Sequence, residues 1–389
     1  MASFLHRPSD HQSDDSSKTV CPVVSLAEDA TQPLFGNTTF YEFNKILSGV
    51  SAAFVIVVIS FLLVMHATHA SKPNEQLKIM KISLFFPLLA ILSFLAVAFP
   101  TAAVYINPWA IFIEAIALGA FFLLLCEFIS PSSHQRDVFF ASLPTTSESG
   151  KSSKNGPEWF RLQWILIFQF PVVTLLVSIF TDITEAAGVY CQFTSNAHFA
   201  KLWLTIATYV STGAAVIAIF RFYGRLKKQL APYGALKKLL AFKIVVFLTT
   251  VEGIIFNILD SAGKLEPTAV LTRADLLYGI PKLLTCLELV PLSLFLVYAY
   301  SYRPYLLENV RRQEEESAKY ITSYSGGLSM LITMWSPVET IRAIGFAFTM
   351  NKEKNQRLSG PYSTTAYDAQ TYSAYTPLAP QTEGRWGRI

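Results

Sequence analysis

The 389-residue sequence predicts an all-α, polytopic membrane protein: seven transmembrane helices, an outward amino terminus, an inward carboxyl terminus and a partly disordered cytosolic tail. Three observations lead there. Hydrophobic residues make up 52% of the chain and charged residues only 15%, against about 25% charged in ordinary globular proteins. Seven separate stretches are long and apolar enough to cross a bilayer, and the lysines and arginines between them alternate from side to side. So little charge cannot cover the surface of a soluble enzyme, and a net charge of +4 is too small to mark a nucleic-acid binder. The expected organisation is an extracytosolic tail over 1–43, a seven-helix domain over 44–305 and a cytosolic tail over 306–389.

The first 35 residues contain Asp10, Asp14, Asp15, Glu28 and Asp29 and no apolar run. No cleavable signal peptide is therefore expected, and the first span directs insertion. A spanning helix needs about 20 mostly apolar residues. Such stretches run from about Asn44 to Met65, Ile82 to Phe99, Trp109 to Ile129, Leu162 to Phe180, Leu202 to Phe222, Leu239 to Leu259 and Tyr278 to Tyr302. Pro87, Pro171, Pro281 and Pro291 fall inside these spans, and the last two are expected to bend the seventh helix.

Positive charge resists translocation, so short loops rich in Lys and Arg face the cytosol. Lys72, Lys78 and Lys81 follow span one; Arg136, Lys151, Lys154 and Arg161 follow span three; Arg225, Lys227, Lys228, Lys237 and Lys238 follow span five. These twelve cations stand against three in the intervening connections, Lys201, Lys264 and Arg273, which sets the amino terminus outside. The sequon Asn37-Thr38-Thr39 lies in that outer tail and makes Asn37 a glycosylation candidate. Beyond Tyr305, Ser336, Pro337 and Glu339 carry the signature of a helix start. With Val338, Ile341, Ile344 and Phe348 they predict a short helix near 337–349, either at the inner membrane surface or packed on the bundle.

No phosphate loop, nucleophile elbow, HExxH or clustered Cys and His supports an enzyme, a metal site or a cofactor. Ionisable residues inside spans are costly and so become functional candidates. Counted at 1.5 Å per residue from the outer end of each span, Glu114, Glu252 and Glu288 lie about 8, 10 and 15 Å deep. That places them in one outer layer, with Lys282 about 6 Å deep and Asn257 a turn outward of Glu252. The layer suits a polar cavity for solute or protons; the other reading is that each glutamate ties helices together by a hydrogen bond. Lys243 and Glu127 are expected to snorkel to the cytosolic boundary, and His66 and His69 to act as solvated caps there. Cys21 and Cys191 both fall on the oxidising side, where a disulfide is permitted. Cys126 is a palmitoylation candidate and Cys286 a structural thiol.

Several segments in order carry a resemblance: Ile113-Glu114-Ala115, the run from Ala241 through Lys243 to Leu248, and Ala274-Asp275 through Gly279-Ile280-Pro281 to Cys286-Leu287-Glu288. Ser93-Phe94-Leu95 and Ala102 to Tyr105 add to it. From Asn44 to Tyr305 the chain resembles the organic solute transporter alpha family, which includes the transmembrane protein 184 relatives; its Tyr/Ser/Thr-rich tail is similar to fungal members. The resemblance implies a facilitative carrier of steroid- or lipid-like amphipathic anions, with a small single-span partner subunit or a homo-oligomeric assembly. Glu114, Lys243 and Glu288 match the family pattern, whereas Glu252 stands where relatives commonly have Gln. The expected partners are membrane lipids and the organic solute, with no nucleic acid, and the expected site is the plasma membrane or a vacuolar or endosomal membrane. The competing reading is a seven-span receptor-like or trafficking scaffold. Against a G-protein-coupled receptor, span three ends in Cys126-Glu127-Phe128 without DRY, and span seven lacks NPxxY.

Overall fold

The first long helix, α1 (Phe40–Thr68), starts where the sequence supplies a reciprocal cap. The Thr39 hydroxyl accepts from the Glu42 amide at 3.3 Å, and the Glu42 carboxylate accepts from the Thr39 amide at 3.0 Å. Its helical period then separates two faces. Asn44, Ser48, Ala52, Val55, Ile59 and Leu62 are buried in the protein, while Ile46, Val50, Phe54, Val57, Phe61 and Val64 are exposed. The computed structural model describes residues 21, 30–130, 133–143, 156–194, 196–313 and 324–347. Among the described residues the regular structure is helical, apart from one isolated bridge between Phe35 and Thr38.

In chain order the other helices are α2 (Pro73–Ala98), α3 (Ala103–Ile129), α4 (Ser133–Ala141), α5 (Gly156–Ala186), α6 (Ala200–Arg225), the one-turn α7 (Lys227–Leu230) and α8 (Ala235–Ser261). They are followed by α9 (Ile280–Ala299), α10 (Leu307–Gln313), α11 (Tyr324–Thr333) and a last helix, α12, over 338–347. Seven of them, α1, α2, α3, α5, α6, α8 and α9, are long and apolar enough to cross a membrane. The protein is an all-α, seven-span integral membrane protein.

Most of the helices run beyond the apolar stretches that announced them, and in α2 and α3 the extension changes what the added residues do. α2 begins at Pro73, in the first turn where a missing amide costs nothing, nine residues before the expected start at Ile82. Lys78 and Lys81 thus belong to a helix and not to a loop. α3 begins at Ala103, takes in Pro108, and leaves only the 3-10 turn Pro100–Ala102 as its connection to α2. In the seventh span the irregularity precedes the proline. A π-helical turn, Asp275–Gly279, leads into α9 and puts Pro281 in that helix's first turn, so only Pro291 lies in its interior.

α2 occupies the centre of the bundle, packing on α1, α3 and α9; α5 packs on α3, α6 on α5 and α8 on α9. The α3–α5–α6 contact is aromatic: the Phe122 ring meets Trp164, Phe168 and Phe222 at centroid distances of 5.4, 6.0 and 4.9 Å, edge to face. At the end that carries the cation-rich connections, His66 is fully buried, contrary to the solvated role expected of it. Its Nε2 donates to the Tyr300 carbonyl at 2.9 Å, and Gln76 donates to the carbonyls of His66 and His69. One histidine and one glutamine thereby join α1, α2 and α9.

The chain after the seventh span folds back onto this end. α11 packs on α1, with Gly327 so close that a Cβ there would sit 3.1 Å from the Ala67 carbonyl. α12 packs on the start of α5, where Trp164 Nε1 donates to the Ala343 carbonyl at 2.8 Å and meets the Phe346 ring edge-on. The apolar positions expected to share one face divide: Val338 and Ile341 are exposed, Ile344 packs against the core, and Phe348 lies outside the described residues.

Candidate functional site

Between α8, α9 and α3 lies a cavity of about 210 Å³. Asn107 of α3 contributes to it, with Thr249, Glu252 and Asp260 from α8 and Tyr278, Lys282 and Thr285 from the π turn and α9. The π turn is held in place from both sides. Asn44 Nδ2 of α1 donates to the Gly279 carbonyl at 2.9 Å, and Ser48 supports the Asn44 amide oxygen at 2.8 Å. Asp275 accepts from both the amide and the hydroxyl of Thr272, which anchors the turn's beginning. Gly279 lets the turn approach closely: a Cβ would stand 3.1 Å from Asn44 Nδ2 and 3.3 Å from an Asp275 carboxylate oxygen.

Of the residues expected in one outer layer, Glu252 and Lys282 line this cavity. Glu288, expected in the same layer, is not among the residues that line it. Its buried Oε2 has no donor among the described residues. The Asn257 side chain lies outside what is described. Glu114 belongs elsewhere, because α3 starts earlier than expected and Glu114 lies about 16 Å along it. Its Oε1 accepts from Lys243 Nζ at 2.7 Å, with side chains only 10% and 12% exposed. Lys243, expected to reach for the boundary, instead pairs inside the bundle. Asn107, Thr249, Asp260, Tyr278 and Thr285 were not singled out in advance. The usable signal was Asn107 beside Pro108, a polar residue in what proved to be continuous helix.

The rim at the amino-terminal end is tied by polar and covalent links. Tyr278 donates to Gln192 Oε1 at 2.7 Å, and Arg273 pairs with Asp260. Cys21 and Cys191 form a disulfide, with Cα atoms 5.6 Å apart. Gln32 and Thr31 both donate to the Ala269 carbonyl, at 2.8 and 3.2 Å, which brings the amino-terminal segment over the connection between α8 and the π turn. Asn37 is exposed in the turn just before α1, and its sequon's Thr39 is the residue that caps that helix. At the opposite end Cys126 is fully enclosed among core residues, so this packing does not accommodate an acyl chain on its thiol; Cys286 is likewise buried.

That opposite end is closed by charge. Lys78 pairs with Glu127 at 3.1 Å and with Glu339 at 3.4 Å, and Lys81 pairs with Glu339 at 2.8 Å, joining α2, α3 and α12. Burial pushes the Glu339 carboxyl up, but Lys78 and Lys81 outweigh it and hold the group below the usual glutamate range. Glu127 thus has a partner inside the protein, and Glu339 serves a tertiary contact in place of the capping role its position suggested.

The profile of the family described as organic solute transporter Ostalpha matches residues 44–305. The chain belongs to that family. Its curated relatives include a transmembrane protein 184 homolog of Dictyostelium discoideum, 25% identical over 288 residues, covering 70% of this chain and 56% of the relative. They also include Protein LAZ1 homolog 1 of Arabidopsis thaliana, 28% identical over 280 residues, covering 65% and 57%. The chain spans a little over half the length of these relatives. No solved structure matches it. Membership assigns the chain to a family of membrane solute transporters and not to an enzyme family, and the matched segment contains the cavity and the Glu114–Lys243 pair.

Proposed function

We propose that this protein is a carrier, or the carrying subunit of one, for amphipathic organic solutes, and that the cavity between α3, α8 and α9 is where solute is held. The observation that carries this reading is a polar cavity lined by Glu252 and Lys282 within helices long enough to span a bilayer. A bilayer makes such groups costly unless they serve a site or a relay. Lys282 supplies a cation for an anionic head group, Asn107, Tyr278 and the two threonines supply neutral hydrogen bonds, and Phe256 supplies an apolar wall. The ion pairs of Lys78 and Lys81 with Glu127 and Glu339 close the other end, so release there requires them to part. The proposed topology has the amino terminus outside, and movement is facilitative, driven by the solute gradient.

The test is uptake by the purified protein in liposomes, with steroid conjugates and other amphipathic anions as substrates. Saturable uptake that Lys282→Met reduces at least tenfold, while the variant keeps its folded yield, supports the reading. No saturable uptake of any substrate, or full uptake by Lys282→Met, overturns it.

A further inference from the structure

α11 and α12 pack one side against the bundle and leave an apolar surface on the other. Met330, Met334, Thr340 and Ala343 face inward and are buried. Leu328, Ile332, Trp335, Val338 and Ile341 face outward, at 47%, 64%, 59%, 45% and 60% exposure. The five run along α11, the turn 334–337 and α12, here called the 324–347 hairpin, on the side that the bundle leaves uncovered. Between 324 and 347 only Glu339 and Arg342 carry charge, and Glu339 is directed inward to Lys78 and Lys81. Soluble surfaces rarely present so apolar a strip without a partner.

What covers the strip follows from its surroundings. α11 packs against α1 and reaches its last turn at Ala67, where the outward row of α1 from Ile46 through Val57 to Val64 comes to its end. In a seven-span membrane protein that row faces lipid. The hairpin adjoins the row at the cation-rich end, with Trp335 at its turn and Arg342 exposed beside Ile341. An indole at head-group depth and a cation near lipid phosphates are the side chains this zone favours. We infer that the 324–347 hairpin is a membrane-embedded foot: its outward face lies in the lipid leaflet at the cation-rich end, and its inward face locks that end of the bundle. The lipid is recognised as an apolar layer with anionic head groups. The hairpin thereby couples lipid to the Lys78, Lys81 and Glu339 contacts.

The two unpaired cysteines are buried and the other described pair is bonded, so an introduced surface thiol can be labelled selectively. Nitroxide labels at Ile332→Cys and Ile341→Cys, in the full-length protein reconstituted into phosphatidylcholine and phosphatidylserine vesicles, are compared for collision with oxygen and with a water-soluble nickel chelate. Val57→Cys on the lipid-facing row and Glu266→Cys in an exposed connection give the two references. Oxygen collisions exceeding nickel collisions severalfold at both positions, as at Val57→Cys, support the proposal. Nickel access like that at Glu266→Cys shows water there and overturns it. Low access to both reagents shows that protein, such as a second copy of the chain, covers the face, and this also overturns it.

Discussion

Glu114 and Lys243 are each costly in a bilayer and together form a short buried pair between α3 and α8. Removing one partner leaves the other charge uncompensated, at a cost of about 3–5 kcal/mol, whereas removing both with apolar residues of similar size is often near neutral. Glu114→Leu is therefore expected to lower the thermal midpoint of the detergent-purified protein sharply, and Glu114→Leu with Lys243→Met to recover most of it. A double variant no better than the single one means that the pair is not what holds the two helices. Glu339 gives a pH-dependent counterpart. Its folded pKa is depressed, so the stabilisation it gives is complete above the unfolded glutamate value of about 4.3 and is lost as pH falls through the folded value. Distances measured between spin labels at Val57→Cys and Ile341→Cys should stay narrow from neutral pH down to about 5 and broaden only below the ordinary glutamate range. Glu339→Gln should broaden them already at pH 7.

At the scale of elements, the π turn and the amino-terminal segment position the cavity. Gly279→Ala places a methyl group 3.1 Å from Asn44 Nδ2 and 3.3 Å from an Asp275 carboxylate oxygen, so the bond between Asn44 and the turn must shift. The expected loss is about 1–3 kcal/mol, read as a lower thermal midpoint that the further change Asn44→Ala partly relieves. The Cys21–Cys191 link spans 170 residues and fastens the amino-terminal segment near Gln192, the partner of Tyr278. Peptide mapping of the non-reduced protein is expected to yield a Cys21–Cys191 cross-linked peptide, and recovery of both thiols free removes the tether. These devices were hard to read from the residues alone. Gly279 and Asn44 are 235 positions apart, and nothing local at either one announces the other.

For the whole molecule the proposed orientation rests on cations at the ends of the spans, and structure alters what two of them do. Lys78 and Lys81 lie in α2 with carboxylate partners inside the protein, and Lys151 and Lys154 lie outside the described residues. Lys78 and Lys81 still sit at the end of the bundle where α12 packs, and pH-sensitive fluorescent reporters fused at the two termini are expected to report the amino terminus outside and the carboxyl terminus inside. The sequence by itself determined the seven spans, because crossing a bilayer demands length and apolarity, both properties of contiguous residues. It also singled out Glu252, Lys282 and Glu288 through the cost of placing ionisable groups in lipid. Only the tertiary structure decided which of these act together. Glu114 found Lys243 and left the cavity, Glu339 found Lys78 and Lys81, and Asn107 became cavity lining when α3 absorbed its proline. The physical reason is that a buried charge is stabilised by whichever partner comes within a few ångströms, and that distance is set by helix packing across long sequence separations.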